Sequence, residues 1–119
     1  MEVVVKYERK QVFVIHDSLL PKYRGFAPLV NQLIQGEEKI GATLLLACNE
    51  YDKGDIVDSK SIKINYPIKI EKAIELISNC YEELCLMLMK KIYAKEKIYT
   101  FEQNESEATY SLWRDKHDY

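Results

Sequence analysis

The sequence predicts a single α/β domain, with a mixed or mainly parallel sheet, one short helix and one long helix. Three observations carry this. Val12-Phe13-Val14-Ile15 is a continuous apolar run rich in β-branching, the pattern of a strand buried on both faces. Between residues 69 and 95, apolar side chains recur at Ile70, Ala73, Ile74, Ile77, Tyr81, Leu84, Leu88 and Ile92, the three-and-four spacing of one buried helical stripe. The chain has 119 residues, 47% hydrophobic and 30% charged, a length and composition that suit one globular domain and not a disordered segment.

Taken in order, residues 3–5 are a short β-branched run, and Glu8-Arg9-Lys10 is a polar break before the first buried strand. That strand stops at His16-Asp17-Ser18. Ligands of open α/β sheets gather beyond the carboxyl ends of strands, so these polar residues are candidates for function. Pro21-Lys22-Tyr23-Arg24-Gly25 reads as a loop. Ala27, Val30, Leu33 and Ile34 have helical spacing, closing near Gly36. Residues 40–48 read as strand-like, 49–55 as a polar turn, and 56–64 as a further strand that ends before Pro67. In the long helix, Glu71 and Glu75 lie early and Lys90, Lys91 and Lys95 late, which complements the helix dipole. Residues 98–101 and 109–112 read as two short strands around a polar loop, and 114–119 is a charged tail.

Charge narrows the function. Lys and Arg number 17 against 19 Asp and Glu, for a formal net charge of -2. A chain that coats nucleic acid or an anionic membrane needs a positive excess that is missing here. No apolar run approaches the roughly 18–20 residues of a membrane span, and the first residues show no signal-peptide pattern; the expectation is a cytoplasmic protein. Cys48, Cys80 and Cys85 are odd in number and form no Cys-x-x-Cys pair. They read as reduced, buried thiols, with no disulfide framework and no metal site. The nine tyrosines read as core packing ahead of an interface. No phosphate-cradling glycine loop and no serine nucleophile elbow is present.

Two ionisable groups stand at element ends: His16 after the buried strand and Asp52 in the Asp52-Lys53-Gly54-Asp55 turn. A carboxylate beside an imidazole fixes its tautomer and favours its protonated form, while the imidazole moves the proton. By itself each group has a plainer reading, a satisfied strand-end histidine and an ordinary Asp-x-Gly turn.

The wording of the sequence adds to this. His16-Asp17-Ser18-Leu19-Leu20-Pro21-Lys22-Tyr23-Arg24-Gly25, followed by Ala27-Pro28, resembles the His-x-Ser-Leu-Leu-Pro signature of formyltransferases that use 10-formyltetrahydrofolate. Tyr51-Asp52-Lys53-Gly54-Asp55-Ile56, after Ile40-Gly41-Ala42-Thr43, resembles the second signature, Leu-Asp-x-Gly-Asp-Ile. Ala108-Thr109-Tyr110-Ser111 resembles the segment after the last long helix in members acting on methionyl-tRNA or on nucleotide-linked amino sugars, and Tyr110-Ser111-Leu112-Trp113-Arg114-Asp115 looks closest to the sugar branch.

The resemblance implies a partial formyltransferase-type, Rossmann-like sheet and transfer of a formyl group from 10-formyltetrahydrofolate to an amine. It gives His16 the proton shuttle and the oxyanion, and Asp52 the task of holding His16 or a water and helping to deprotonate the amine. Asp52 and Gly54 would border the folate donor, and the acceptor would be a nucleotide-sugar first and methionyl-tRNA second. Read from the residues alone, Lys22, Tyr23 and Arg24 offer groups for the phosphates of a nucleotide-sugar, with a solvated loop as the equal alternative. The family's third catalytic residue, an Asn two positions before the His, falls at Val14, on the same strand face as His16. Loss of one oxyanion donor typically costs on the order of 10²–10³ in turnover. The chain is expected to match the second half of a formyltransferase catalytic domain over residues 1–119, cut at both ends. It would pair with a second copy or with a separately encoded N-terminal half to cover exposed edges and apolar surface. Two other functions stand beside the enzyme: a non-catalytic fragment or interaction module, and one half of a split formyltransferase.

Overall fold

The computed structural model describes residues 11–111 in full and, for Val3–Tyr7, the backbone of a strand. Within these residues the order is β1 (Val3–Tyr7), β2 (Gln11–His16), β3 (Arg24–Gly25), α1 (Pro28–Ile34), β4 (Lys39–Leu46), β5 (Ile56–Lys63), α2 (Ile70–Tyr93) and β6 (Tyr110–Ser111), with a 3-10 turn at Glu105–Glu107. The main sheet has the order β1-β2-β4-β5, and β3 and β6 form a separate two-stranded sheet. The charged tail and the Leu112 end of the last expected strand lie outside the described residues.

The four-stranded sheet is antiparallel throughout: β1 with β2, β2 with β4, and β4 with β5. This corrects the expectation of a mainly parallel sheet; the parallel pair is the short β3–β6. The reason lies in what a continuous apolar run reports. It reports burial on two faces, and strand direction does not enter. Phe13 and Ile15 of β2, with Ile40, Ala42 and Leu44 of β4, join the core against α2. Their alternates face the other way: Val14 packs with Leu20, Leu45 and Ile56, and His16 and Thr43 lie under the loop that follows β2. A loop covers the second face where a crossover helix would cover it in a parallel sheet.

The long helix carries the stripe expected of it. Ala73, Ile77, Tyr81, Leu84 and Leu88 are buried, joined by Cys80; full burial of a large apolar side chain contributes about 1.5–3 kcal/mol. The first turn departs from expectation, because Ile70 is 41% and Ile74 47% exposed. With Val30, Ile34 and Tyr66 they border two shallow apolar cavities of about 680 and 400 Å³ between the start of α2 and α1.

Other expectations are corrected by placement. Cys48 is exposed, whereas Cys80 is buried, and burial pushes the Cys80 thiol up. Tyr81 is a core residue, but Tyr51, Tyr66, Tyr93, Tyr99 and Tyr110 are exposed. The segment 98–101 contributes only a single bridge, Phe101 to Ile56. Among the described residues no helix is long and apolar enough to cross a membrane.

Candidate active site

Thr43, fully buried in β4, fixes the loop after β2. Its hydroxyl accepts from the Leu20 amide at 3.0 Å and donates to the Ser18 carbonyl at 2.7 Å. The Ser18 hydroxyl donates to the Lys22 carbonyl at 2.6 Å. From the opposite side, Tyr81 of α2 donates its phenol to Asp17, and Gln32 of α1 donates to the Asp17 carbonyl at 2.6 Å. The His-Asp-Ser-Leu-Leu-Pro segment is thus tied to three elements.

His16 ends β2 with its ring under this loop, 2% exposed. Nδ1 lies 3.3 Å from Asp52 Oδ1. Nε2 lies 2.8 Å from the Tyr23 carbonyl. Asp52 Oδ2 accepts the Gly25 amide at 2.9 Å, so one carboxylate holds the imidazole with one oxygen and the loop backbone with the other. Asp52 itself sits at φ 62°, a left-handed conformation that Asp tolerates better than most residues. The turn it occupies is pressed on the end of β4: a Cβ at Gly54 would stand 1.6 Å from the Leu46 carbonyl oxygen. Gly25 has φ 98°, and a Cβ there would meet the Ser111 carbonyl oxygen at 2.6 Å, where β3 lies against β6.

The segment 109–111 runs along the loop. Tyr23 donates its amide to the Thr109 hydroxyl at 2.9 Å, and Arg24 donates its amide to the Thr109 carbonyl at 2.9 Å. The Arg24 side chain turns inward and is 1% exposed. Its guanidinium grips Glu105 with two nitrogens at 2.7 and 2.8 Å, donates twice to Gln103 Oε1 at 2.8 and 3.2 Å, and reaches the Tyr110 hydroxyl at 3.0 Å. The bond to Glu105 raises the Arg24 pKa above its ordinary value and lowers that of Glu105. This corrects the expectation that Arg24 meets an acceptor's phosphates: a buried cation must be paired, and all of this one's donors are spent inside the protein.

Lys22 and Tyr23 line a polar cavity of about 440 Å³, with Glu37 and Thr109 among its walls. The Tyr23 hydroxyl donates to Glu37 at 2.6 Å; burial, and then this bond, pushes the phenol up. The structure therefore brings His16 and Asp52 together, sets Gly54 at the turn behind Asp52, leaves Lys22 and Tyr23 on a cavity wall and takes Arg24 inside. Sequence reasoning missed Gln103, Glu105 and Thr43. No local signal marks them: Gln103 and Glu105 lie 79 and 81 positions from the arginine they hold.

Chemically, the carboxylate orients the ring, and an imidazole so held is suited to take up and hand on a proton. Both ring nitrogens face oxygen acceptors. A substrate atom that is to meet Nε2 must take the place of the Tyr23 carbonyl.

Comparison with known proteins identifies the family. Residues 1–80 match the model of the family described as formyl transferase. The methionyl-tRNA formyltransferase of a Hydrogenobaculum species is 38% identical over 101 residues, which are 82% of this chain and 32% of that protein. Among solved structures, a 4-N formyltransferase from Francisella tularensis superposes with a TM-score of 0.70 at 28% identity, covering 88% of this chain and 41% of that one. The Helicobacter canadensis N-formyltransferase, solved in complex with folinic acid and dTDP-3-aminofucose, gives a TM-score of 0.74 at 25% identity, with 83% and 36% covered. The chain spans about a third of the length of the curated relatives it matches. With both signature segments present and the family match running over residues 1–80, this chain belongs to the formyl transferase family.

Proposed function

We propose that this chain is the second half of a formyl transferase catalytic domain. It would serve transfer of a formyl group from 10-formyltetrahydrofolate to an amine, that of a nucleotide-linked amino sugar first and that of methionyl-tRNA second. The observation that carries the reading is the His16–Asp52 contact at 3.3 Å under the loop. Relatives supply the alternatives: one is solved with folinic acid and dTDP-3-aminofucose, and several are methionyl-tRNA formyltransferases.

In such a transfer a new bond joins the acceptor nitrogen to the formyl carbon, and the bond from that carbon to the donor nitrogen breaks. One proton leaves the acceptor amine and one must reach the donor nitrogen. His16 is the group that takes and returns a proton, and Asp52 keeps its ring in place. His16 lies under the loop, 2% exposed, and Asp52 and Gly54 sit on the turn beside it. In this reading Asp52 and Gly54 border the donor, and a further polypeptide segment would complete its site. The exposed Ile34, Ile70 and Ile74 around the α1–α2 cavities favour a covering partner, a second copy or an N-terminal half. A monomer that stays soluble at high concentration in sedimentation would count against it.

The test is formyl transfer from 10-formyltetrahydrofolate to dTDP-amino sugars and to methionyl-tRNA. Any turnover is expected to vanish in His16→Ala; unchanged turnover in that variant overturns the reading. Val14, packed with Leu20, Leu45 and Ile56, stands where the resemblance puts an oxyanion donor. Val14→Asn is expected to raise turnover by on the order of 10²–10³. If neither the wild type nor Val14→Asn turns over or binds the folate, the defect is the N-terminal half of the domain and not Val14.

A further inference from the structure

Gln103 lies in the irregular segment after α2, two residues before the 3-10 turn. Its side-chain amide uses all of its hydrogen-bonding capacity. Nε2 donates to the Asp52 carbonyl at 2.9 Å and to the Gly54 carbonyl at 2.7 Å. Oε1 accepts from Arg24 Nε at 3.2 Å and Nη2 at 2.8 Å. The orientation of the amide is fixed by these partners, because the reverse would set its NH2 against a guanidinium and its oxygen against two carbonyls. Gln103 is the side chain that joins the buried Arg24 to the backbone of the turn bearing Asp52. That turn holds a non-glycine residue at φ 62°, a conformation that persists where its surroundings enforce it.

We propose that Gln103 is a positioning residue of the site: by holding the Asp52–Gly54 backbone against Arg24 it sets the carboxylate at its distance from His16 Nδ1. Three pieces of chain then share one task. The end of β2 brings the imidazole, the turn after β4 brings the carboxylate, and the segment after α2 fixes their separation through one amide. The inference rests on the reading of His16 and Asp52 as the working pair.

The test uses the ¹⁵N and ¹H signals of the His16 ring, assigned with His117→Gln. Gln103→Glu keeps an acceptor for Arg24 but turns a carboxylate oxygen toward the two turn carbonyls. It is expected to move the His16 ring signals in the direction in which Asp52→Asn moves them, with the fold retained by its amide spectrum. Gln103→Ala, which leaves the turn unheld, is expected to do the same and serves if Gln103→Glu does not fold. Glu105→Ala removes another Arg24 partner while leaving Gln103 on the turn, so its His16 signals are expected at their wild-type positions. Unmoved signals in the Gln103 variants, or an equal movement in Glu105→Ala, overturn the proposal. The readout needs no formyl transfer: moved signals in a chain that proves inactive would leave Gln103 its role and remove only the enzymatic reading.

Discussion

On the α2 face of the sheet, Phe13, Ile15, Ile40, Ala42 and Leu44 pack with Ile77, Leu84 and Leu88 in one apolar cluster. On the opposite face the same strands offer a smaller apolar group around Leu20, Leu45 and Ile56, and beside it His16 and Thr43. The first face is closed by area removed from water, which is non-directional and tolerates repacking. The second is closed by a loop whose polar groups are satisfied one by one, by Thr43, Asp52, Gln103 and Thr109. Burial of that kind specifies geometry, because each unpaired group costs its desolvation. The chemistry sits on the face where position is set by hydrogen bonds.

The sharpest way to break this comparison is a pair of substitutions on neighbouring strand and helix. Leu84→Ala empties space in the apolar cluster and is expected to cost about 2–5 kcal/mol in urea unfolding, the range for such core truncations. His16 ring signals are expected to keep their positions. Thr43→Val, nearly equal in shape, removes the partner of the Leu20 amide and Ser18 carbonyl and is expected to cost about 1–3 kcal/mol. It should displace the His16 signals, since the loop over the ring is released. Equal displacement by both variants would mean that the two faces are not separable.

A smaller effect sharpens the polar side. The bond from Arg24 holds Glu105 below its ordinary carboxylate value, so the contribution of this pair to stability is present above the carboxylate range and is lost as pH falls through the lowered value. The difference in melting temperature between wild type and Glu105→Gln is therefore expected to be positive near neutrality and to shrink on acidification. It should also fall with salt, because the Glu105 side chain is 64% exposed. A difference independent of pH would remove the charge of Glu105 from the account.

The two faces also differ in how legible they were. Periodicity found α2, and a continuous apolar run found the double-sided burial of β2; β4 was legible as a strand. Neither pattern could tell strand direction, since a loop and a helix demand the same apolar run beneath them, and periodicity overran the exposed Ile70 and Ile74, whose neighbours are not set by spacing. On the loop face, His16 and Asp52 were legible through the two signature segments. Gln103 and Glu105 were not: they stand 79 and 81 positions from Arg24, in a stretch without periodicity, and only the fold brings them to it. The inward turn of Arg24 follows from those partners, which is why the arginine reads as a surface cation in the sequence.

The account depends most on His16 and Asp52 acting as one unit. The direct measurement is the long-range ¹⁵N–¹H spectrum of the His16 ring in wild type and in Asp52→Asn. The expected result is displacement of the Nδ1 signal, the atom that faces Asp52 Oδ1 at 3.3 Å, in a variant whose backbone spectrum is otherwise preserved. Identical ring signals in the two proteins would contradict the account, because the imidazole would then take neither its orientation nor its environment from the carboxylate.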